Sequence, residues 1–349
     1  MLYMPQLDGL RALAVLAVLY THYLPESQWL LGIYWGEGGV RLFFVLSGFL
    51  ITNLLRAARA RVENASRTRG QALGHFYARR ALRLVPAYYA VLAVTAALGL
   101  PPVRRTLLWH LAYLSNFYFV RHGGWEGPVS HLWSLAVEEQ FYLLWSLVVI
   151  LAAARLLPAA IAVAIAIGPL FRLLGVLSGW PPIVGWVMMP GSLDALGLGA
   201  LLAWWTGTAA PSRRGNRIFA SAAIAGLVAW IALEKLATRG VWAHVREVLS
   251  PTALAVFFVW LVARAAGGFR GPAGRFLEWR PVVFLGRISY GVYLIHNFSV
   301  PLLGLVFPRV ALAPPLPQAA IALPTTVGLA ALSWRFLERP FNRLKTRFV

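Results

Sequence analysis

The segment that decides the fold lies at residues 7–24 and reads LDGLRALAVLAVLYTHYL. It is long and apolar enough to cross a membrane as a helix, yet it contains Asp8, Arg11 and His22. Eleven helical residues turn through about 1100°, so Arg11 and His22 share one face, about 16 Å apart along the axis. Ionisable residues in such positions are functional candidates, and this pair predicts a polar tunnel across the bilayer. The alternative is an arginine that snorkels at the helix end and an interfacial histidine, and this segment alone does not choose between the two.

Composition assigns the class of protein. Hydrophobic residues make up 59% of the 349 residues and charged residues only 13%. These values indicate an integral membrane protein with many helices and exclude a soluble multidomain enzyme. Because cysteine is absent, the sequence excludes disulfides, a thiolate nucleophile and a cysteine-bound metal. The first segment lacks the basic start and the cleavage site of a secretory signal, so we expect it to be retained as a helix.

Hydropathy predicts an all-α polytopic helix bundle with about ten transmembrane helices, forming a single membrane domain over residues 1–349. The stretch 107–120 is a candidate for an additional interfacial or re-entrant helix. The ten predicted spans lie near 7–24, 39–56, 84–100, 131–152, 156–177, 185–206, 218–236, 247–266, 283–306 and 315–336.

The distribution of basic residues predicts the orientation. The chain has a formal net charge of +20, and its 32 lysines and arginines are unevenly placed, with 21 on one side of the predicted array and seven on the other. By the positive-inside rule, both termini are expected to be cytoplasmic. The charge is therefore a topology signal with a secondary attraction to anionic membrane lipids, and we expect no nucleic-acid partner.

An arginine-rich stretch precedes the third predicted span. Arg80 and Arg83 are three residues apart and share one helix face, whereas Arg79 is expected to be solvated. Spaced guanidinium groups suit phosphate because each offers a planar fork of donors and keeps its charge. The alternative is that these arginines hold lipid head groups or only enforce topology.

The fourth predicted span opens with the stretch SHLWSLAVEEQFY at residues 130–142. Adjacent residues point about 100° apart, so only one of Glu138 and Glu139 faces the bundle interior. Glu138 shares its face with His131 and Tyr142, and we expect it to orient or charge a histidine. The alternative is that both carboxylates simply favour the positive end of the helix dipole.

Two further spans contain isolated ionisable residues. Asp194 needs a cationic or hydrogen-bonding partner in the membrane, for which Arg11 and Arg172 are candidates, and a structural ion pair and a catalytic role are equally compatible with it. His296 is expected to be a hydrogen-bonded packing residue. The histidines lack metal-ligand spacing, and the chain has neither a glycine-rich phosphate loop nor a nucleophile elbow.

Six stretches occur together in an order that resembles the acyltransferase-3 family of bacterial membrane O-acyltransferases. They cover essentially the whole chain, and their joint order is far more specific than any one of them. The stretches are LDGLRA at 7–12 followed by His22, GVRLFFVLSGFLI at 39–51, the arginine stretch from Phe76 to Pro86, Trp133 to Tyr142, Ser289-Tyr290-Gly291 followed by His296, and FLERPF at 336–341.

The resemblance implies an activity and a location. Members of this family take an acyl group, commonly acetyl, from cytoplasmic acyl-coenzyme A and place it on a hydroxyl of a sugar or another acceptor. The chain is therefore expected to be a multi-pass protein of the bacterial inner membrane that uses acetyl-CoA and no metal. It ends shortly after Pro340, without the extracytoplasmic domain of many longer relatives, which favours a small metabolite or a lipid-linked sugar over a large glycan.

The resemblance also implies site residues. His22 is expected to be the general base and Glu138 its tuning partner, with a histidine nucleophile as the alternative. Arg11, Arg80 and Arg83 are expected to bind the phosphates of acyl-CoA. Further polar residues are expected to belong to the substrate site or to the structural framework: Asp8, Ser47, Asn116, His131, Tyr142, Asp194, Tyr290 and His296. The rival classes are a transporter or lipid-binding membrane protein that uses the same charges, and a structural scaffold.

Overall fold

The fold is given by a computed structural model of the chain, which describes residues 3–25, 30–207, 213–237 and 239–348. Within these ranges all regular structure is helical, so the predicted all-α class is confirmed. Short 3-10 turns and one π-helical turn at Trp334–Glu338 connect some of the helices. The α-helices of these ranges are α1 (Pro5–Tyr23), α2 (Trp35–Glu63), α3 (Arg69–Ala97), α4 (Val103–Leu111), α5 (Ser115–His122), α6 (Leu132–Leu151), α7 (Leu157–Leu177), α8 (Pro182–Val187), α9 (Leu193–Thr206), α10 (Arg213–Leu236), α11 (Gly240–Ala266), α12 (Gly271–Leu277), α13 (Arg280–Val306), α14 (Pro308–Ala311), α15 (Pro315–Ser333) and α16 (Arg339–Arg343).

Helix α2 lies at the centre of the bundle because small residues let its neighbours approach closely. A side chain added at Gly39 would collide with the backbone of Ala14 on α1. One added at Gly48 would collide with the backbone of Leu196 on α9. Small residues at contacts between membrane helices have this effect in general. The segment of α2 between the two glycines is thereby held between α1 and α9.

A capping box fixes the start of α3. The Thr68 hydroxyl oxygen accepts a hydrogen bond from the Gln71 backbone N–H at 3.2 Å, and the Gln71 side-chain oxygen accepts one from the Thr68 backbone N–H at 3.0 Å. Such reciprocal bonds satisfy donors that the first turn of a helix otherwise leaves unpaired. Helix α3 then continues through the arginine stretch and into the predicted third span.

Seven helical segments of the described residues are long and apolar enough to cross a membrane. The chain is therefore a multi-pass membrane protein. Three other predicted spans coincide with α1, α3 and α9, which are more polar or shorter, so the total of about ten crossings stays a prediction. The seven segments are Trp35–Glu63, Gly127–Leu151, Ala154–Leu177, Arg217–Leu236, Gly240–Ala266, Arg280–Val306 and Pro315–Phe348.

Two predicted segments are divided in the structure. The span expected at 185–206 consists of α8, a 3-10 turn at Met189–Ser192 and the 14-residue helix α9. Pro190 interrupts the helical hydrogen bonding because it has no backbone N–H to donate. The stretch 107–120 likewise consists of parts of the short helices α4 and α5 rather than one additional helix.

Candidate functional site

One cavity of the bundle, with a volume of about 540 Å³, lies between α1, α2, α3, α6 and α13. Four guanidinium groups line it, those of Arg11, Arg79, Arg80 and Arg83, and we call it the arginine cavity. Arg79 is half-buried and lines the wall as Arg80 and Arg83 do, so the structure does not single it out as the solvated member of the stretch. The arginine cavity therefore carries an excess of fixed positive charge, which suits a polyanionic ligand.

The four arginines differ in how far their charges are already neutralised. Arg11 donates a hydrogen bond to the Asp8 carboxylate at 2.8 Å. The Arg80 guanidinium lies over the Tyr142 ring, 4.1 Å from its centroid. Among the described residues, no carboxylate lies within ion-pair distance of Arg79, Arg80 or Arg83. The capacity to bind an incoming anion therefore belongs mainly to these three arginines.

Glu138 lies on the wall of the arginine cavity. Its carboxylate accepts a hydrogen bond from the Ser47 hydroxyl at 2.6 Å, and Ser47 in turn accepts one from the Tyr142 hydroxyl at 3.2 Å. Glu138 and Tyr142 thus face the same space, as their spacing predicts. Among the described residues Glu138 is hydrogen-bonded to Ser47 on α2 and to no histidine, so its expected role toward a histidine stays a prediction. The spacing along α6 predicts which residues share a face, but it does not predict which helix that face contacts.

A second cavity, of about 460 Å³, lies beyond the first. His22 and His131 line it together with Tyr34, Trp125, Trp133 and Trp186, and we call it the histidine cavity. Tyr34 precedes α2, and burial together with the nearby Glu37 carboxylate raises the pKa of its phenol to about 12. Tyr34 therefore keeps its proton at neutral pH and remains a hydrogen-bond donor.

The hydrogen bond of His22 defines its tautomer. Its Nδ1 lies 2.9 Å from the Val18 carbonyl oxygen. A carbonyl oxygen only accepts hydrogen bonds, so Nδ1 carries the proton and Nε2 has the free lone pair. The ring is exposed on the cavity wall. The arrangement presents an unprotonated imidazole nitrogen, which is able to accept a proton from a bound hydroxyl.

Two more histidines lie beside His22. The His296 ring centroid is 4.9 Å from that of His22 and 4.8 Å from that of His131. His131 donates through Nε2 to the Leu294 carbonyl at 3.1 Å, and His296 donates through Nδ1 to the Tyr293 carbonyl at 2.5 Å. His296 is fully buried and hydrogen-bonded, as expected for a packing residue. Its position between the other two rings is a feature that sequence spacing does not reveal.

Val40 and Tyr293 line both cavities and separate them. Tyr293 is held in place because its hydroxyl lies 2.6 Å from that of Ser134 and donates to the His131 carbonyl at 3.2 Å. Val40, on α2, is half-buried and makes no comparable polar contact. Two cavities therefore lie on either side of these two side chains, and a continuous tunnel between them stays a prediction.

Asp194 lines neither cavity and belongs to a buried charge cluster, one member of which, Arg41, also lines the histidine cavity. It accepts hydrogen bonds from Arg172 at 2.8 Å, from Arg41 at 3.2 Å and from Thr252 at 2.6 Å. Arg172 is thus a partner, Arg11 is not, and Arg41 is a partner that sequence reasoning missed. Asp194 and Arg172 are both fully buried. The cluster connects α2, α7, α9 and α11 and supports the framework around the cavities.

The remaining predicted residues divide between framework and cavity. Asn116 forms a reciprocal amide pair with Gln140, at 3.1 and 2.9 Å, and holds α5 against α6 outside both cavities. Tyr290 lines the arginine cavity and donates to the Leu84 carbonyl at 2.9 Å. Within the described ranges, no group of three or more His, Cys, Asp or Glu side chains is arranged to hold a metal ion.

Comparison with known proteins gives a family and two curated relatives. A family profile described as an acyltransferase domain, that of the acyltransferase-3 family, matches residues 4–335. The chain is 28% identical to the peptidoglycan O-acetyltransferase OatA of Listeria monocytogenes, over 98% of this chain and 56% of that protein. It is 29% identical to the O-acetyltransferase OatA of Staphylococcus aureus, over 98% of this chain and 57% of that protein. The chain therefore spans slightly more than half the length of these relatives. No solved structure matches it significantly.

Proposed function

We propose, on the premise that this chain belongs to the acyltransferase-3 family, that it transfers an acetyl group from acetyl-coenzyme A to a hydroxyl of an envelope glycan. The Listeria monocytogenes relative, named as a peptidoglycan O-acetyltransferase, supports a sugar acceptor from the cell wall or its lipid-linked precursor. In this proposal the chain crosses the bacterial inner membrane about ten times, with both termini cytoplasmic. The arginine cavity then faces the cytoplasm and the histidine cavity lies toward the outer side.

Donor binding is assigned to the arginine cavity. The phosphates of coenzyme A would contact Arg80 and Arg83, which have no carboxylate of the described residues within ion-pair distance, with Arg11 deeper along α1. The pantetheine arm would continue between Val40 and Tyr293 toward His22. The helical rise of about 16 Å between Arg11 and His22 is of the order of the reach of that arm.

Transfer is assigned to His22. As the acceptor oxygen attacks the thioester carbonyl carbon, Nε2 of His22 takes the hydroxyl proton. The carbon–sulfur bond then breaks, and His22 returns that proton to the thiolate of coenzyme A, so the imidazole ends the cycle neutral. The observation that carries this assignment is the Val18 carbonyl on Nδ1, which leaves Nε2 as the basic nitrogen.

The test uses purified protein in detergent with labelled acetyl-CoA and a soluble peptidoglycan fragment. The wild type is expected to release coenzyme A in proportion to acetylated sugar. His22→Ala should lower this rate by about 10²- to 10⁴-fold, the usual contribution of a general base, with unchanged affinity for acetyl-CoA. His244→Ala is the matched control because His244 is exposed and lies outside both cavities.

Full transfer by His22→Ala would refute the assignment of the base. Movement of an intact substrate across vesicles without consumption of acetyl-CoA would instead favour a transporter.

A further inference from the structure

The histidine cavity has an aromatic wall that the transfer chemistry does not use. Trp125 and Trp133 lie side by side, with ring centroids 6.3 Å apart and planes inclined by 49°. Trp186 lines the same cavity from α8. Trp125 is 47% exposed although it belongs to the wall of a cavity. Three indoles thus offer broad flat surfaces in the cavity that His22 also lines.

The polar groups of this cavity complement a neutral ligand. Glu37 and Arg41 face it with opposite charges, 3.8 Å apart, which is an ion-pair distance rather than a hydrogen bond. The guanidinium of Arg41 is already bound to Asp194 at 3.2 Å. Among the described residues of the lining, an anionic ligand would therefore meet no spare arginine or lysine charge, whereas the Glu37 carboxylate remains able to accept hydrogen bonds from hydroxyl groups.

Flat aromatic surfaces together with hydrogen-bond acceptors match a pyranose ring. The C–H groups on one face of such a ring carry partial positive charge, and the face of an aromatic ring is negative. The hydroxyl groups on the rim of the sugar need polar partners, which Glu37 and Ser130 supply on the cavity wall. The cavity volume of about 460 Å³ also falls in the range of small-molecule sites.

We propose that the histidine cavity is the acceptor subsite, in which Trp125, Trp133 and Trp186 stack on a pyranose ring and Glu37 binds its hydroxyl groups. This inference rests on the proposed function and deepens it by assigning residues to acceptor recognition. The tryptophans position the sugar so that one hydroxyl lies next to His22, and they take no part in proton transfer.

The test is equilibrium binding of a soluble peptidoglycan fragment to the purified protein, measured by calorimetry without acetyl-CoA. Trp125→Ala and Trp186→Ala are each expected to weaken binding by about 2- to 12-fold, the range that a single aromatic contact contributes. Trp125→Phe should recover part of the loss because it keeps an aromatic face. All variants should bind acetyl-CoA like the wild type, which confirms that they are folded.

Trp180→Ala is the matched control. Trp180 is also exposed, at 38%, but contacts Phe171 and does not line the cavity. A loss in the cavity variants but not in Trp180→Ala supports the inference. If these tryptophans only anchor the protein at the membrane interface, neither the cavity variants nor Trp180→Ala would lose affinity for the sugar fragment.

Equal binding by all variants, or no binding by the wild type, would overturn the inference. The source of the sugar is distinguished by comparing a free fragment with its lipid-linked form. Failure of the proposed function has a different signature, because it appears as absence of His22-dependent release of coenzyme A, whatever the sugar affinity.

Discussion

Neutralising Arg80 or Arg83 tests the assignment of the donor site. Both side chains line the arginine cavity, and no carboxylate within the described part of the chain pairs with either. A hydrogen bond to a charged group contributes about 1.5–3 kcal/mol. Loss of one such contact with a phosphate corresponds to a dissociation constant raised by about 10- to 150-fold. Because the side chains are only half-buried, we expect the lower part of this range for Arg80→Gln and Arg83→Gln.

The assay is equilibrium binding of labelled acetyl-CoA to detergent-purified protein at two salt concentrations. Arg80→Lys and Arg83→Lys should show intermediate affinity because they keep the charge but lose the planar fork of donors. Arg69→Gln is the matched control, since Arg69 lies on the same helix but is exposed and does not line the cavity. Wild-type affinity for acetyl-CoA in both glutamine variants would refute the assignment of the donor site. An equal loss of affinity in Arg69→Gln would also refute it, because it would indicate only a general attraction of acetyl-CoA to positive charge.

Two further predictions concern the wall between the cavities and the buried charges. Val40→Trp should block passage between Val40 and Tyr293, so acetyl transfer is lost while acetyl-CoA and the sugar fragment still bind; undiminished transfer would show that the acyl group takes another route. Asp194→Asn should lower the free energy of unfolding by about 3–5 kcal/mol because it removes the carboxylate that neutralises fully buried Arg172. Thermal unfolding in detergent checks the second prediction, and an unchanged unfolding temperature would contradict it.

The helical spacing on α1 shows what the sequence alone can predict. Arg11 and His22 lie on cavity walls at successive levels of one helix, as a rise of about 1.5 Å per residue requires. Likewise, Glu138 and Tyr142 face one cavity because they are four residues apart on α6. Periodicity within a helix therefore predicts which residues share a face and how far apart they lie.

Contacts between distant helices explain what the sequence did not predict. Glu138 meets Ser47 rather than a histidine, and His296 reaches His22 across more than 270 residues of chain. Nothing in the sequence assigns a partner to Arg41, yet it binds Asp194. These pairings depend on how α2, α9 and α13 pack against their neighbours. Spacing along a single helix does not predict which helices pack together. The buried position of Asp194 does require a cationic partner, but the sequence contains several arginines within or near the spans and does not select among them.

In our proposal the acyl group reaches His22 through the space between Val40 and Tyr293. A cryo-electron microscopy structure of the His22→Ala variant with bound acetyl-CoA would reveal this path, because the donor would accumulate without turnover. We predict phosphate density at Arg80 and Arg83, with the thioester carbonyl in the histidine cavity where a histidine at position 22 would lie about 3–3.5 Å from a bound acceptor hydroxyl. A thioester that remains in the arginine cavity beside Glu138, with no density beyond Val40, would contradict the proposal.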